Sequence, residues 1–320
     1  MMKLRKQLFN MGINISIGNL ISKCKVGKTL PFDSSLVDYW SFAGRSNNDA
    51  NRDIITGVKG NILNAYNFIW ELGSGYGQYL VNYRTYSLKA NNAIIKLNSY
   101  NAFTIMESKD INPFFFKDNG DKAYKIRVSG IEEIVQGLIY IYGMEDENQV
   151  YIDHDGEYEL PAGDMAEFQT IFVGKCKIVV EQIPNYQGAI VTDGVTSHLK
   201  LNKTGYKVRT VIIKFKPINI KPNIVNSILN IHTDEVALQY DTSGVLNNNF
   251  TTYRNYGEYS VGTFNIDKNA VTPLTLGCKL SNSGRPMEYS NIAIYDIAIY
   301  SKVLTNEQIL SEIELMKQLK

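Results

Sequence analysis

The 320-residue sequence has little of what usually announces a chemistry. Lys+Arg 33 against Asp+Glu 32 leaves almost no net charge. That argues against a nucleic-acid binder, which needs a basic excess to neutralise phosphates. There are three cysteines, Cys24, Cys176 and Cys278, odd in number and far apart. They form neither a disulfide framework nor a CxxC metal site, and they read as small buried thiols of a chain folded in a reducing compartment. His154, His198 and His232 fall on different expected strands or turns, without the spacing of a zinc site. No GxSxG, HExxH or P-loop occurs. No apolar run approaches the ~20 residues that span a bilayer. The opening MMKLRKQLFNMGINISIGNL has a basic head, but Asn10, Gly12, Asn14 and Gly18 break its apolar part. It is expected to be a docking segment, not a signal peptide.

What the sequence does have is strand-forming material: Tyr 21, Phe 13, and many Asn in the connections. SLVDYWSFAG reads as a strand, followed by the polar loop GRSNNDANRD and the turn-rich ELGSGYGQYLVNY, whose glycines mark tight turns or close backbone approaches. From Asn98, short strands recur every ~8–12 residues with turn signals between them, the rhythm of a small sandwich or barrel. After about Tyr186 longer strands return, among them KVRTVIIKFKPINI. The expectation is an all-β chain with one terminal helix.

The end of the chain is the most specific part. In NIAIYDIAIY the isoleucines keep the β period on either side of Asp296, so an extra residue is expected there as a bulge or turn. Thr305 is placed as N-cap with Gln308 completing a capping box, and Leu304 and Ile309 as a hydrophobic staple. Ile309, Ile313 and Met316 form an apolar stripe flanked by Leu310, which should dock the helix on the strands.

The ending IAIYSKVLTNEQI resembles the terminal signature of laminin-G-like, concanavalin A-like sandwich modules. SLVDYWSFAG resembles their first strand, AIVTDGVTSHLKL a middle strand and RTVIIKFKPI the strand after it, in the family's order. The resemblance implies an all-β, concanavalin A-like jelly-roll sandwich over 36–97 and 185–320, with a short C-terminal helix. The spacing between the first strand and TDGVTSHLKL is too long for a simple module and implies an inserted small β-sandwich domain over 98–184. Residues 1–35 remain as an N-terminal docking segment. WSFAGRSNNDANRD followed by YNFIWELGSGYGQYL resembles the version of this module found in tail or fibre-like structural proteins of gut Bacteroidales phages and prophages. That implies a virion protein, docked to other virion proteins through its N-terminus, commonly trimeric, without nucleic acid or membrane span among its partners, and touching host surface polysaccharide.

Candidate sites follow from residue chemistry. A glycoside hydrolase needs two carboxylates flanking a cleft; Glu145, Asp146 and Glu147 are contiguous and read as a solvated turn, and Asp234 and Glu235 fail the spacing too, so no catalytic residue is assigned. In the polar loop, Asn47, Asp49 and Asp53 are candidate calcium ligands, or else members of a hydrogen-bonded loop in which Arg45 and Arg52 pair with Asp49 and Asp53. Trp70, Tyr76, Tyr253 and Tyr256 lie in loop-like stretches and are candidate sugar-stacking rings, against a reading in which they are packing residues. The competing functions are a bacterial glycan-binding or glycan-cleaving module, and a ligand-free spacer or decoration protein.

Overall fold

The computed structural model describes residues 32–84, 92–111, 118–120, 123–132, 136–143, 149–232, 235–269 and 272–320. Most of the docking segment expected over 1–35, Cys24 and the acidic run Glu145 to Glu147 lie outside the described residues.

Four strands come first: β1 (Leu36–Ser41), β2 (Ile54–Thr56), β3 (Ile62–Tyr66) and β4 (Gly75–Tyr76). Nine follow: β5 (Ala93–Ser99), β6 (Ala102–Ser108), β7 (Asp118–Gly120), β8 (Tyr124–Ser129), β9 (Leu138–Tyr142), β10 (Gln149–Ile152), β11 (Gly156–Leu160), β12 (Gly163–Thr170) and β13 (Gly174–Ile183). Then come β14 (Ile190–Val191), β15 (His198–Leu201), β16 (Lys207–Asn219), β17 (Asn226–His232), β18 (Glu235–Tyr240) and β19 (Leu246–Asn248). The last are β20 (Thr252–Tyr256), β21 (Tyr259–Asn269), β22 (Thr275–Leu276), β23 (Lys279–Leu280), β24 (Pro286–Met287) and β25 (Asn291–Tyr300), before helix α1 (Asn306–Gln318).

The chain is all-β apart from this helix among the described residues. One sheet has the order β20-β21-β16-β25-β14-β4, with β1 sharing the edge of β25 that β14 also uses; a second runs β19-β18-β17-β22-β15-β3-β2. Both feed one core: Trp40, Val211, Ile213 and Ile294 from the first meet Leu63, Leu199, Leu229 and Leu276 from the second. The nine middle strands form two other sheets, β11-β8-β13-β6-β5 and β10-β9-β12-β7, around a separate core of Phe103, Ile126, Tyr140 and Phe168. Among the described residues no strand of β5–β13 pairs with a strand outside that set. The boundary expected at 97/98 needs correcting. It cuts β5, which pairs along its length with β6, and the second core already includes Val81 and Tyr83.

Two elements show how the sequence builds the first sheet. Ile292 and Ile294 face the main core, and so do Ile297 and Ile299, although an odd number of steps separates the pairs. Strict alternation forbids this. The ladder resolves it: Lys214 opposes Asp296 and Phe215 opposes Ile294, so Tyr295 is the extra residue of a bulge, one place before the expected position. The outer face of this sheet, Ile212, Tyr259, Ala298 and Tyr300, is covered by α1 through Ile309, Ile313 and Met316. The capping box of Thr305 and Gln308 is present, and Leu304 is buried with Ile309, while Leu310 stays exposed.

The helix also buries charge. Glu312 accepts from the Asp33 N–H (2.9 Å) and from the Tyr300 hydroxyl (2.8 Å), and Asp33 meets Lys302 (2.7 Å). Burial raises the Glu312 carboxyl, with the Asp33 charge adding to it against the Tyr300 hydrogen bond. Asp38, fully buried on β1, binds four N–H groups at 2.8–2.9 Å, from Tyr39, Lys59 and both nitrogens of Asn61. It thereby caps the β2–β3 hairpin. Gly57 is required beside it, because a Cβ there would stand 2.3 Å from Asp38 Oδ1.

Candidate functional site

The Asn/Asp-rich loop is organised by its arginines, though not by pairing with its acids. The Arg45 guanidinium donates to the carbonyls of Asn51 (3.0 Å) and Ile54 (2.8 Å), and Arg52 to that of Asn47 (2.7 Å). Backbone carbonyls are among the oxygens a loop-bound calcium ion can take as ligands, and guanidinium N–H groups engage these three. Asn47 is buried, its Oδ1 accepting from the Tyr76 N–H at 2.6 Å and its Nδ2 donating to Tyr76 O and the Tyr100 hydroxyl. Asp49 accepts from the Ser46 N–H, and both Asp49 and Asp53 are exposed. The three expected calcium ligands are therefore not brought together. Among the described residues no three His, Cys, Asp or Glu side chains gather as a metal group. Asn47 instead joins the sandwich to Tyr100 at the β5–β6 turn of the insertion.

The expected sugar-stacking rings are also redistributed. Trp70 and Tyr76 are 8% and 3% exposed and belong to the main core, so their faces are unavailable to a sugar. Trp70 stacks on Phe68 at 5.0 Å and lies under Arg52, with its backbone at φ 63 held by a bond from its N–H to Ser74 O. Tyr253 and Tyr256 are half-buried. Tyr253 stacks on Phe250 and donates to Ser260, and Tyr256 donates to Asn306 at the start of α1. Both behave as packing residues of the β20–β21 hairpin.

A different set of residues comes together on the outer face of the second sheet. Register places Tyr66 of β3 opposite His198 of β15, and Asn64 opposite Lys200. Their neighbours Leu63, Leu199 and Leu201 point into the core, so these four share the other face. Tyr66 is 42% exposed and lies nearly parallel to the buried His198 ring, at 5.2 Å and 15°. Tyr289 closes on His198 from another side at 6.0 Å. His198 Nδ1 is 3.1 Å from Thr196 O, so this nitrogen carries the proton. Burial lowers the imidazole's pKa, keeping the ring neutral and well suited to stacking. Both tyrosines adjoin a non-glycine residue in the left-handed region, Asn67 at φ 58 and Glu288 at φ 52. Such backbone is costly and persists where surroundings over-determine it.

The adjoining loop is rigidly built. Asp193 Oδ1 accepts from the N–H groups of Val195, Thr196 and Ser197 at 2.8–2.9 Å, and Asn67 Nδ2 reaches Thr196 O. Exposed Ile69 and Val195 flank the same end of the sheet.

A concavity of about 410 Å³ lies where the insertion returns to the sandwich, lined by Lys125, Glu157, Glu159, Pro184 and Gln187 among others. Glu157 and Glu159 have the every-second-residue spacing of a carboxylate pair and were missed in the sequence. Each faces a cation across the strand, Arg127 (2.6 Å) and Lys125 (3.8 Å), as ordinary exposed ion pairs do.

No family model matches the chain, and no curated protein or solved structure matches it either.

The Tyr66 face was only half visible in the sequence. HLKL and ILNAY alternate, which puts His198 with Lys200 and Asn64 with Tyr66 on the polar side of each strand. Nothing local says that these two strands, more than a hundred residues apart, are neighbours.

Proposed function

We propose that the chain is a non-catalytic adhesion protein of a virion, a concanavalin A-like jelly-roll sandwich with a small β insertion, which holds host surface glycans on the Tyr66 face. The observation that carries the sugar-binding part is an exposed tyrosine ring backed by a neutral, buried imidazole and flanked by a carboxamide and an ammonium. Protein sites for sugars combine such an aromatic plane with a few fixed hydrogen-bonding groups. The virion setting, the docking of the N-terminal segment to other virion proteins and the trimeric state rest on the resemblance of Leu36 to Tyr83 to phage tail and fibre modules. Symmetric copies supply the avidity that a single shallow stacking site lacks.

The test is saturable binding of the purified protein to intact Bacteroidales cells and their extracted polysaccharides, with and without EDTA. Binding should survive EDTA and be lost in Tyr66→Ala at unchanged melting temperature. Loss in EDTA would return the site to Asn47, Asp49 and Asp53, and absence of binding would contradict the adhesion reading.

A further inference from the structure

The Tyr66 face holds one group that stacking leaves unexplained, a cation without an acid. Several ammonium groups elsewhere on the sandwich are engaged: Lys214 with Glu258 and Lys302 with Asp33, both at 2.7 Å, and Lys221 with Gly194 O. Lys200 is half-buried in the middle of the sheet, between Asn64 of β3 and Thr275 of β22, and no described residue pairs with it. Its charge reaches both neighbours: it adds to the lowering that burial imposes on the His198 imidazole, and at the Cys278 thiol it opposes a rise that burial dominates. The carboxylate that His198 feels, Asp193, is already occupied by the N–H groups of its own loop. The Asn64 carboxamide beside Lys200 likewise has no partner among the described side chains.

Resting on the sugar-binding reading, we infer that the ligand is an acidic saccharide. One of its rings lies on Tyr66 and its carboxylate pairs with Lys200, with Asn64 donating to the same group. The spacing fits. Tyr66 and Lys200 are diagonal neighbours across the β3–β15 ladder, and such pairs stand about 7–8 Å apart, close to the reach of one pyranose ring with its carboxylate. A partly desolvated ammonium rewards an anion more than a solvated one does, and a charge-assisted hydrogen bond is about twice as strong as a neutral one. Neutral sugars would satisfy Tyr66 and leave Lys200 unpaired.

The experiment is a binding series with polygalacturonate, alginate, hyaluronan and polysialic acid, each beside its carboxyl-reduced, uncharged form. At least one acidic polymer should bind, with its reduced form weaker by about tenfold or more. Lys200→Met should lose that same factor for the acidic polymer and nothing for the reduced one, and Lys200→Arg should restore part of it. Lys203→Met, exposed on the loop between β15 and β16, should change neither, which separates a site from general charge attraction. Equal binding of acidic and reduced polymers, or an unaffected Lys200→Met, would overturn the acidic ligand and leave the sugar face standing. Failure of every polymer in both forms would overturn the sugar face as well.

Discussion

Tyr66 and His198 oppose each other across the β3–β15 ladder, their rings 5.2 Å apart and 15° from parallel, with the tyrosine outside and the histidine beneath it. An exposed tyrosine on a sheet ordinarily samples several rotamers. Here the imidazole plane, fixed through its Nδ1–H bond to Thr196, selects one of them. On the proposed sugar-binding reading, His198 is thus a positioning residue for the ring that would meet the ligand.

That relationship predicts how His198 variants behave. His198→Ala removes the support and should weaken glycan binding several-fold. His198→Phe keeps a flat ring in place and should recover most of it. Affinity for the strongest-binding polysaccharide reads this out, with thermal melts to confirm that both variants are folded. If Phe and Ala are equally impaired, the ring is not what orients Tyr66.

A second relationship concerns stability. Lys320 Nζ stands 2.7 Å from Asp296 Oδ2, and the Tyr259 hydroxyl approaches the same carboxylate at 3.3 Å. Asp296 is fully buried at the β25 bulge, and burial raises its pKa against the pull of Lys320. Its raised folded value means that its contribution is most favourable below about pH 3.8, its unfolded value, and declines as pH rises through the folded value. At neutral pH the ionised carboxylate therefore depends on Lys320. Lys320→Met should cost about 1–3 kcal/mol. Asp296→Asn, uncharged at the same shape, should be close to neutral, and the double variant should regain most of the loss. Denaturant melts at pH 7 give the cycle; additive effects would show that the two residues are uncoupled.

Much of the terminal region was legible beforehand, because it is local. A capping box spans four residues, a helix stripe eight, and a bulge shows itself where isoleucines change parity. Glu312 was not legible, since its partners Asp33 and Tyr300 come from another part of the chain and from the neighbouring strand. For the loop Gly44 to Asp53 two readings were open, calcium ligands or a hydrogen-bonded loop with Arg–Asp pairs; its guanidinium groups take backbone carbonyls where carboxylates were expected. Trp70 and Tyr76 misled for a physical reason: glycine- and asparagine-rich chain around an aromatic looks like an exposed loop. In fact those glycines, at φ 84, 138 and 81 for Gly73, Gly75 and Gly77, turn the backbone so that the rings can enter the core.

Gly75 makes that last point testable. Its φ of 138 is unfavourable for any side chain, and a Cβ would lie 2.6 Å from Asn47 Oδ1. Gly75→Ala should destabilise by more than about 2 kcal/mol, because it both strains the backbone and displaces the carboxamide that bonds Tyr76 and Tyr100. Chemical denaturation measures it. A change under about 0.5 kcal/mol, the usual size for a surface substitution, would mean that Asn47 is not the joint described.

Acid should loosen the loop that frames the Tyr66 face. Burial alone would raise Asp193, but the N–H groups of Thr196, Val195 and Ser197 outweigh it and hold the carboxyl below its ordinary value. Its stabilising contribution is therefore present above about pH 3.8, the unfolded value, and is lost as pH falls through the lower folded value. Asp193→Asn should cost about 1 kcal/mol at pH 7, and the gap to the parent should close as pH falls from the unfolded value through the lower folded one. Stability measured against pH for both proteins checks the sign; a gap that widens in acid is the opposite result.

Helix docking gives the simplest number. Thr305→Ala removes the side chain that accepts from the Gln308 N–H and should lower stability by about 1 kcal/mol. Leu310→Ala, on the exposed side, should change it by less than about 0.5 kcal/mol.

The most direct test of the account is amide chemical-shift mapping of the isotope-labelled protein during titration with oligosaccharides from the best-binding acidic polymer. The account predicts saturable shifts confined to Asn64 to Asn67, Thr196 to Lys200 and the neighbourhood of Tyr289. Shifts centred on the Tyr253–Tyr256 hairpin or on Asn47 to Asp53, with the Tyr66 face silent, would contradict it.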